Sequence, residues 1–103
     1  MNDIKKYQVV VSTRAKDLLF EHAIFLSQVS IDAAYDLFTQ FENRITTLEN
    51  FPERCPHYEN PYIPSGKYRK LSLGNYLLIL FQVVGETVHI ELVVDARAEN
   101  KFL

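Results

Sequence analysis

Tyr76-Leu77-Leu78-Ile79-Leu80-Phe81-Gln82-Val83-Val84 is apolar at eight of nine positions, and only Gln82 interrupts it. A strand with one face in water alternates apolar and polar side chains, so an unbroken apolar strand needs cover on both faces. Strand-like segments flank it on either side. Lys67 to Leu73 precedes it across Gly74-Asn75, and Thr87 to Val94 follows across Gly85-Glu86, a pair suited to a two-residue type II′ hairpin. The three are expected to form an antiparallel meander.

Towards the N-terminus the periodicity changes. Tyr7 to Val11 is a short β-branched run closed by Ser12 and Thr13, which reads as a strand handing over to a helix cap. Ala15, Leu18, Leu19, His22, Leu26 and Val29 then recur at three- and four-residue steps, as on an amphipathic helix. Ser30 can cap a second helix, with Ala34, Leu37, Phe38, Phe41, Ile45 and Leu48 on one stripe until Phe51-Pro52 stops it. All four prolines, Pro52, Pro56, Pro61 and Pro64, fall in the irregular connection that follows. The expected fold is α+β, in the order strand-helix-helix-strand-strand-strand. Its helical hairpin packs on one face of a mainly antiparallel four-stranded sheet. At 103 residues, with no repeat or low-complexity tract, residues 1–103 form a single domain.

Composition narrows the function classes. Eleven Lys and Arg against thirteen Asp and Glu give a net charge of −2, so the molecule as a whole is not drawn to nucleic acid or to anionic membranes. The charge is uneven, however. From Thr13 to Asn50 there are three basic and six acidic residues, whereas from Lys67 to Leu103 there are five basic and four acidic. The lone Cys55 can form no internal disulfide, and no apolar run approaches the 18 residues of a membrane span. A cytoplasmic location with no membrane association is expected.

Few residues carry chemistry. Lys67, Arg69 and Lys70 place three positive charges in four residues, but strand alternation puts Tyr68 and Lys70 on one face and Arg69 and Leu71 on the other. The charges therefore serve either a weak nucleic-acid patch or the protection of a sheet edge, through ion pairs with Glu91 and Asp95. His22, on the apolar stripe, reads as a hydrogen-bonded core residue, and His89 as a solvent-side one. The three histidines share no metal-ligand spacing, Cys55 has no base placed beside it, and no phosphate-binding glycine loop is present. No metal and no cofactor is expected. The apolar stretch points instead to a partner. If the helices cover one alternate set, the other face shows an apolar patch, for which Leu77, Ile79, Phe81 and Val93 are the candidate partner-binding residues. Either a second chain covers that face, or the proline-rich loop or the C-terminal tail folds over it.

The order of elements and several local motifs resemble the RelE/ParE superfamily of toxins from bacterial type II toxin–antitoxin (plasmid stabilisation) modules. The residues that carry the resemblance are Tyr7-Gln8-Val9-Val10-Val11-Ser12 with Ala15 and Asp17-Leu18, then Ile45, Leu48 and Phe51-Pro52. Tyr68-Arg69-Lys70-Leu71, Gly74-Asn75-Tyr76-Leu77-Leu78, Phe81-Gln82-Val83 and the closing Val88, Ile90, Val93 and Asp95-Ala96-Arg97 complete it. The resemblance implies a toxin held by an antitoxin protein, whose extended or helical segment wraps it. Two activities occur in the superfamily: ribosome-dependent mRNA cleavage, which inhibits translation, and inhibition of DNA gyrase. For the first, which is the leading expectation, Lys70 and Arg97 match basic catalytic positions, and Lys67, Tyr68 and Arg69 would bind RNA. Such chemistry needs the 2′-hydroxyl deprotonated, the phosphate charge neutralised and the leaving oxygen protonated. This sequence departs from the nuclease pattern at Leu77, where an arginine follows the tyrosine of the middle strand. It departs again at Phe102, whose ring has no hydroxyl. Gyrase inhibition is the alternative expectation, and an antitoxin-binding module without toxicity the third.

Overall fold

The computed structural model describes residues 6–98 of the 103. β1 (Gln8–Val11) ends at Ser12, whose hydroxyl accepts the Ala15 N–H at 3.0 Å and so opens α1 (Thr13–Ser27). The same device opens α2 (Ile31–Thr46), where the Ser30 hydroxyl accepts the Ala33 N–H at 3.2 Å. Both caps satisfy donors that a helix start leaves without a partner. Between the helices the chain reverses in one turn, with the Val29 and Ser30 N–H groups both donating to the Leu26 carbonyl. Val29 leaves the expected stripe there and is 85% exposed, because it sits in the turn rather than on the helix face.

After α2 the backbone tightens into 3-10 turns and passes through Phe51, which is left-handed at φ 56°. That conformation is costly for a bulky residue. It is held by Arg54, whose guanidinium donates to the carbonyls of Thr47, Asn50 and Phe51. The proline-rich connection contributes a two-residue strand, β2 (His57–Tyr58), before β3 (Tyr68–Leu73), β4 (Leu77–Val84) and β5 (Thr87–Asp95). Gly85, at φ 61°, makes the tight β4–β5 turn that pairs Val84 with Thr87.

The sheet order is β1-β5-β4-β3-β2, with β1 parallel to β5 and every other pair antiparallel. The α+β class and its order are therefore as expected. The sheet gains β2 as a fifth strand because His57 and Tyr58 lie opposite Arg69 and Tyr68. Both helices pack on one face. Ala15, Leu19, Ala23, Leu37 and Phe41 meet Leu71, Leu73, Leu77, Ile79, Phe81, Val88, Ile90 and Val93. Arg44 of α2 fastens that layer to β3, donating to the Ser72 carbonyl at 2.9 Å and to its hydroxyl at 3.1 Å.

This arrangement corrects the expected partner face. Leu77, Ile79, Phe81 and Val93 are buried, because they are the alternate set that the hairpin itself covers. The opposite set, Leu80, Leu92 and Val94, is also buried. It is closed by Tyr58 of β2 and Tyr68 of β3, with Ile63 of the proline-rich loop packed against them. The chain's own loop thus supplies the second layer that the apolar strand demanded. The C-terminal tail, with Phe102, lies outside the described residues.

Candidate functional site

The sheet face away from the helices carries the polar residues of interest, and a β-bulge arranges them. Leu80 pairs with Leu92 but Phe81 pairs with Ile90, so Glu91 is an extra residue on β5. Bulges re-aim side chains. Here Glu91 accepts the Gln82 amide at 2.6 Å and the Tyr68 hydroxyl at 3.1 Å. Burial, then the adjacent Glu91 carboxylate, pushes the Tyr68 phenol up to about 12. Beside this network runs an open groove of about 460 Å³, lined by Val10, Ser12, Arg14, Tyr68, His89, Ile90, Glu91 and Leu92. The expectations gave Glu91 only an ion-pairing role. Its place in the groove depends on the bulge, for which the sequence carries no signal.

The basic residues singled out from the sequence do not converge. Lys70 lies on the outer face opposite Leu80, half-buried and without an ion pair among the described residues. Arg69 lies opposite Phe81 on the helix side, where its guanidinium donates to the carbonyls of Cys55 at 2.6 Å and Glu53 at 3.1 Å. Its role is to tie the proline-rich connection to β3. Lys67 is exposed, with its ammonium 5.2 Å from the centre of the Tyr68 ring. No ion pair joins any of the three to Glu91 or Asp95 among the described residues, so an edge guarded by such pairs is not what they build.

Arg97 follows β5 and folds back on its neighbours. Its Nε and Nη2 donate to the two Asp95 carboxylate oxygens at 3.1 and 2.8 Å, and its backbone N–H donates to Asp95 Oδ1 at 2.8 Å. The guanidinium carbon stands 3.8 Å above the Tyr76 ring. The hydrogen bond from Arg97 holds the Asp95 carboxyl below its usual range, and Asp95 in turn raises Arg97. Asp95 lies opposite Leu77, and Leu77 opposite Leu73. Lys70 is three residues from Leu73 along β3, about 10 Å at roughly 3.3 Å per residue. The two matched positions therefore sit in separate neighbourhoods, one of them in a solvent-exposed ion pair with Asp95. Cys55 is buried, and burial pushes its thiol up, away from the reactive thiolate form. His22 is the hydrogen-bonded residue expected, with Nε2 3.2 Å from the Val93 carbonyl oxygen, and His89 is half-buried at the groove.

Among solved structures, the chain is similar to one from the "Chromosomal ParDE TA system from P. aeruginosa", with a TM-score of 0.66 and 15% sequence identity. The match covers 87% of this chain and 96% of that one. At that identity the likeness concerns the fold, and it covers nearly all of both chains. No protein-family model and no curated protein matches the sequence. Among the described residues no helix is long and apolar enough to cross a membrane.

Proposed function

We infer that this chain is the toxin of a type II toxin–antitoxin module, and that it acts by binding and inhibiting DNA gyrase rather than by cutting mRNA. The fold shared with a chain of a ParDE system supports the first part. The second rests on the Arg97 guanidinium, which is closed on Asp95 and stacked on Tyr76 while Lys70 stands apart. A ribonuclease must bring cations to one phosphate and supply a proton to the leaving oxygen. Here the Tyr68 phenol is committed to Glu91, the Tyr76 ring is covered by Arg97, and Leu77 stands where the resemblance implies a phosphate-binding arginine. An inhibitor that works by occupying a protein surface needs none of these groups.

One observation favours the nuclease as a second reading. Lys70, Tyr68, Glu91 and His89 share the outer sheet face, and the last three line one groove. A supercoiling assay with purified gyrase separates the two. The inhibitor reading expects loss of supercoiling with the wild type and equally with Lys70→Ala. Undisturbed supercoiling together with cleaved mRNA on ribosomes would reverse the choice. Under either reading, antitoxin protein expressed from a neighbouring frame should restore growth.

A further inference from the structure

At the open edge of β3, three cationic side chains converge on one pocket. β2 pairs with β3 only at Tyr68 and Arg69, and the Lys70 N–H donates to the Pro56 carbonyl at 3.0 Å, so the edge beyond Lys70 meets no strand. An open pocket of about 450 Å³ lies there. Arg44 reaches it from α2, Arg54 from the turn after Phe51, and Lys70 from β3 itself. Among the described residues no carboxylate lines the pocket, and none of the three cations has an ion pair. The chain as a whole is acidic, with a net charge of −2, so this concentration of positive charge is local. Like charges gathered in this way repel one another until an anion joins them. Cys55, in the pocket wall, registers the field: burial pushes its thiol up, while Arg54, Arg69 and Arg44 each pull it down.

The donors are arranged in advance. Arg44 is fixed by Nε on the Ser72 carbonyl and by Nη2 on the Ser72 hydroxyl, which leaves Nη1 without a partner among the described residues. Arg54 is fixed by Nη1 on the carbonyls of Thr47, Asn50 and Phe51 and by Nη2 on the Thr47 hydroxyl, which leaves Nε. The Ser72 hydroxyl accepts from Arg44 and keeps its own proton to donate. Guanidinium groups held beforehand lose little freedom on binding a ligand. Three cations call for more than one carboxylate. A terminal phosphoryl group carries roughly −1.5 to −2 charges near pH 7, and a second phosphate linked to it adds another. A nucleic-acid strand spreads its charge along a basic track, whereas here the charge is confined to one pocket. The volume suits a small ligand, and Pro56, Leu71 and Leu78 give the pocket an apolar wall. We propose that the pocket at the β3 edge binds the diphosphate group of a nucleotide, with Arg44, Arg54, Lys70 and the Ser72 hydroxyl on the phosphate oxygens and the apolar wall beside the nucleoside. No histidine, phenol or carboxylate lines it among the described residues, so it holds the phosphates without cleaving them. Binding there does not depend on which target the toxin has.

The test titrates the full chain, labelled with ¹⁵N, with adenosine diphosphate, and compares inorganic pyrophosphate, sulfate and a short single-stranded DNA oligonucleotide without terminal phosphates. Adenosine diphosphate should shift the amides of Cys55, Leu71 and Ser72, and bind more tightly than pyrophosphate and far more tightly than sulfate. The Lys70 side chain has no ion pair among the described residues, so Lys70→Gln removes its charge without disturbing the fold. That variant should weaken adenosine diphosphate about tenfold or more, as the loss of one charged hydrogen bond implies. Lys70→Arg should restore binding, and Lys16→Gln, on α1, should leave it unchanged. Equal affinity for sulfate and adenosine diphosphate, undiminished binding by Lys70→Gln, or shifts confined to other parts of the chain would overturn the proposal. So would tighter binding of the oligonucleotide than of adenosine diphosphate, which would give the pocket to a nucleic-acid backbone. The titration reads binding without any toxicity, so its failure and failure of the gyrase reading are told apart.

Discussion

The outer face of the sheet and the outer face of the helical hairpin both carry more apolar side chains than a two-layer fold needs to bury, and they resolve that surplus in opposite ways. On the sheet, Leu80, Leu92 and Val94 are closed off by Tyr58, Tyr68 and the loop residue Ile63. On the hairpin, Phe20, Ile24, Ile31 and Tyr35 are left in solvent, ringed by carboxylates. An apolar run in a sequence therefore marks a surface that needs cover without saying who supplies it. Proximity in the chain decides the matter here. The loop that closes the sheet face leads directly into β3, whereas no segment among the described residues crosses the hairpin.

Substitutions probe that contrast. Phe81→Ala, at a fully buried position beneath the helices, should cost about 3–5 kcal/mol in chemical denaturation. Leu80→Ala on the opposite face should be nearly as damaging, about 2–5 kcal/mol, since that residue is also fully buried. A loss under 1 kcal/mol there would mean that the loop is poor cover and that the two surfaces are alike. Tyr68→Phe, which removes the hydroxyl from Glu91, should cost about 1 kcal/mol. It should also change the alkaline limb. The Tyr68 phenol is raised to about 12 from an ordinary value near 10, so its protonated form is favoured by folding. The stability it adds is fully present below pH 10 and lost as the pH rises towards 12. Wild type should therefore lose more stability than Tyr68→Phe across that interval, read from denaturation midpoints. Tyr35→Gln on the hairpin, at 70% exposure, should change stability by no more than about 0.5 kcal/mol, in keeping with a face that folding leaves unused.

Much of the fold was legible in the sequence because its signals are local. Ser12 and Ser30 announce the helix starts, Gly85-Glu86 makes the hairpin, and the apolar β4 demands two layers. What stayed hidden is set by tertiary packing. Nothing local tells which alternate set of β4 meets the helices, and so Leu77, Ile79, Phe81 and Val93 were expected on the open side when they are the core. The pairing of His57-Tyr58 with β3 and the bulge at Glu91 are likewise fixed by distant partners. Phe20 and Ile24, by contrast, could have been found. They fall outside the apolar stripe of α1, and large apolar residues off the stripe are themselves a signal of a second contact. Asp95 and Arg97 stand two residues apart, close enough for the sequence to suggest a local pair, yet the stacking on Tyr76 required the fold.

Gyrase inhibition, as proposed above, works through a protein target and needs no catalytic part from Lys70 or Arg97. Pulse-labelling of DNA and protein synthesis in bacteria just after inducing the wild type, or the double variant Lys70→Ala with Arg97→Ala, without antitoxin, separates it from mRNA cleavage. DNA synthesis should fall first, and by the same extent with both chains. Protein synthesis falling first in the wild type, with the double variant harmless, would contradict it.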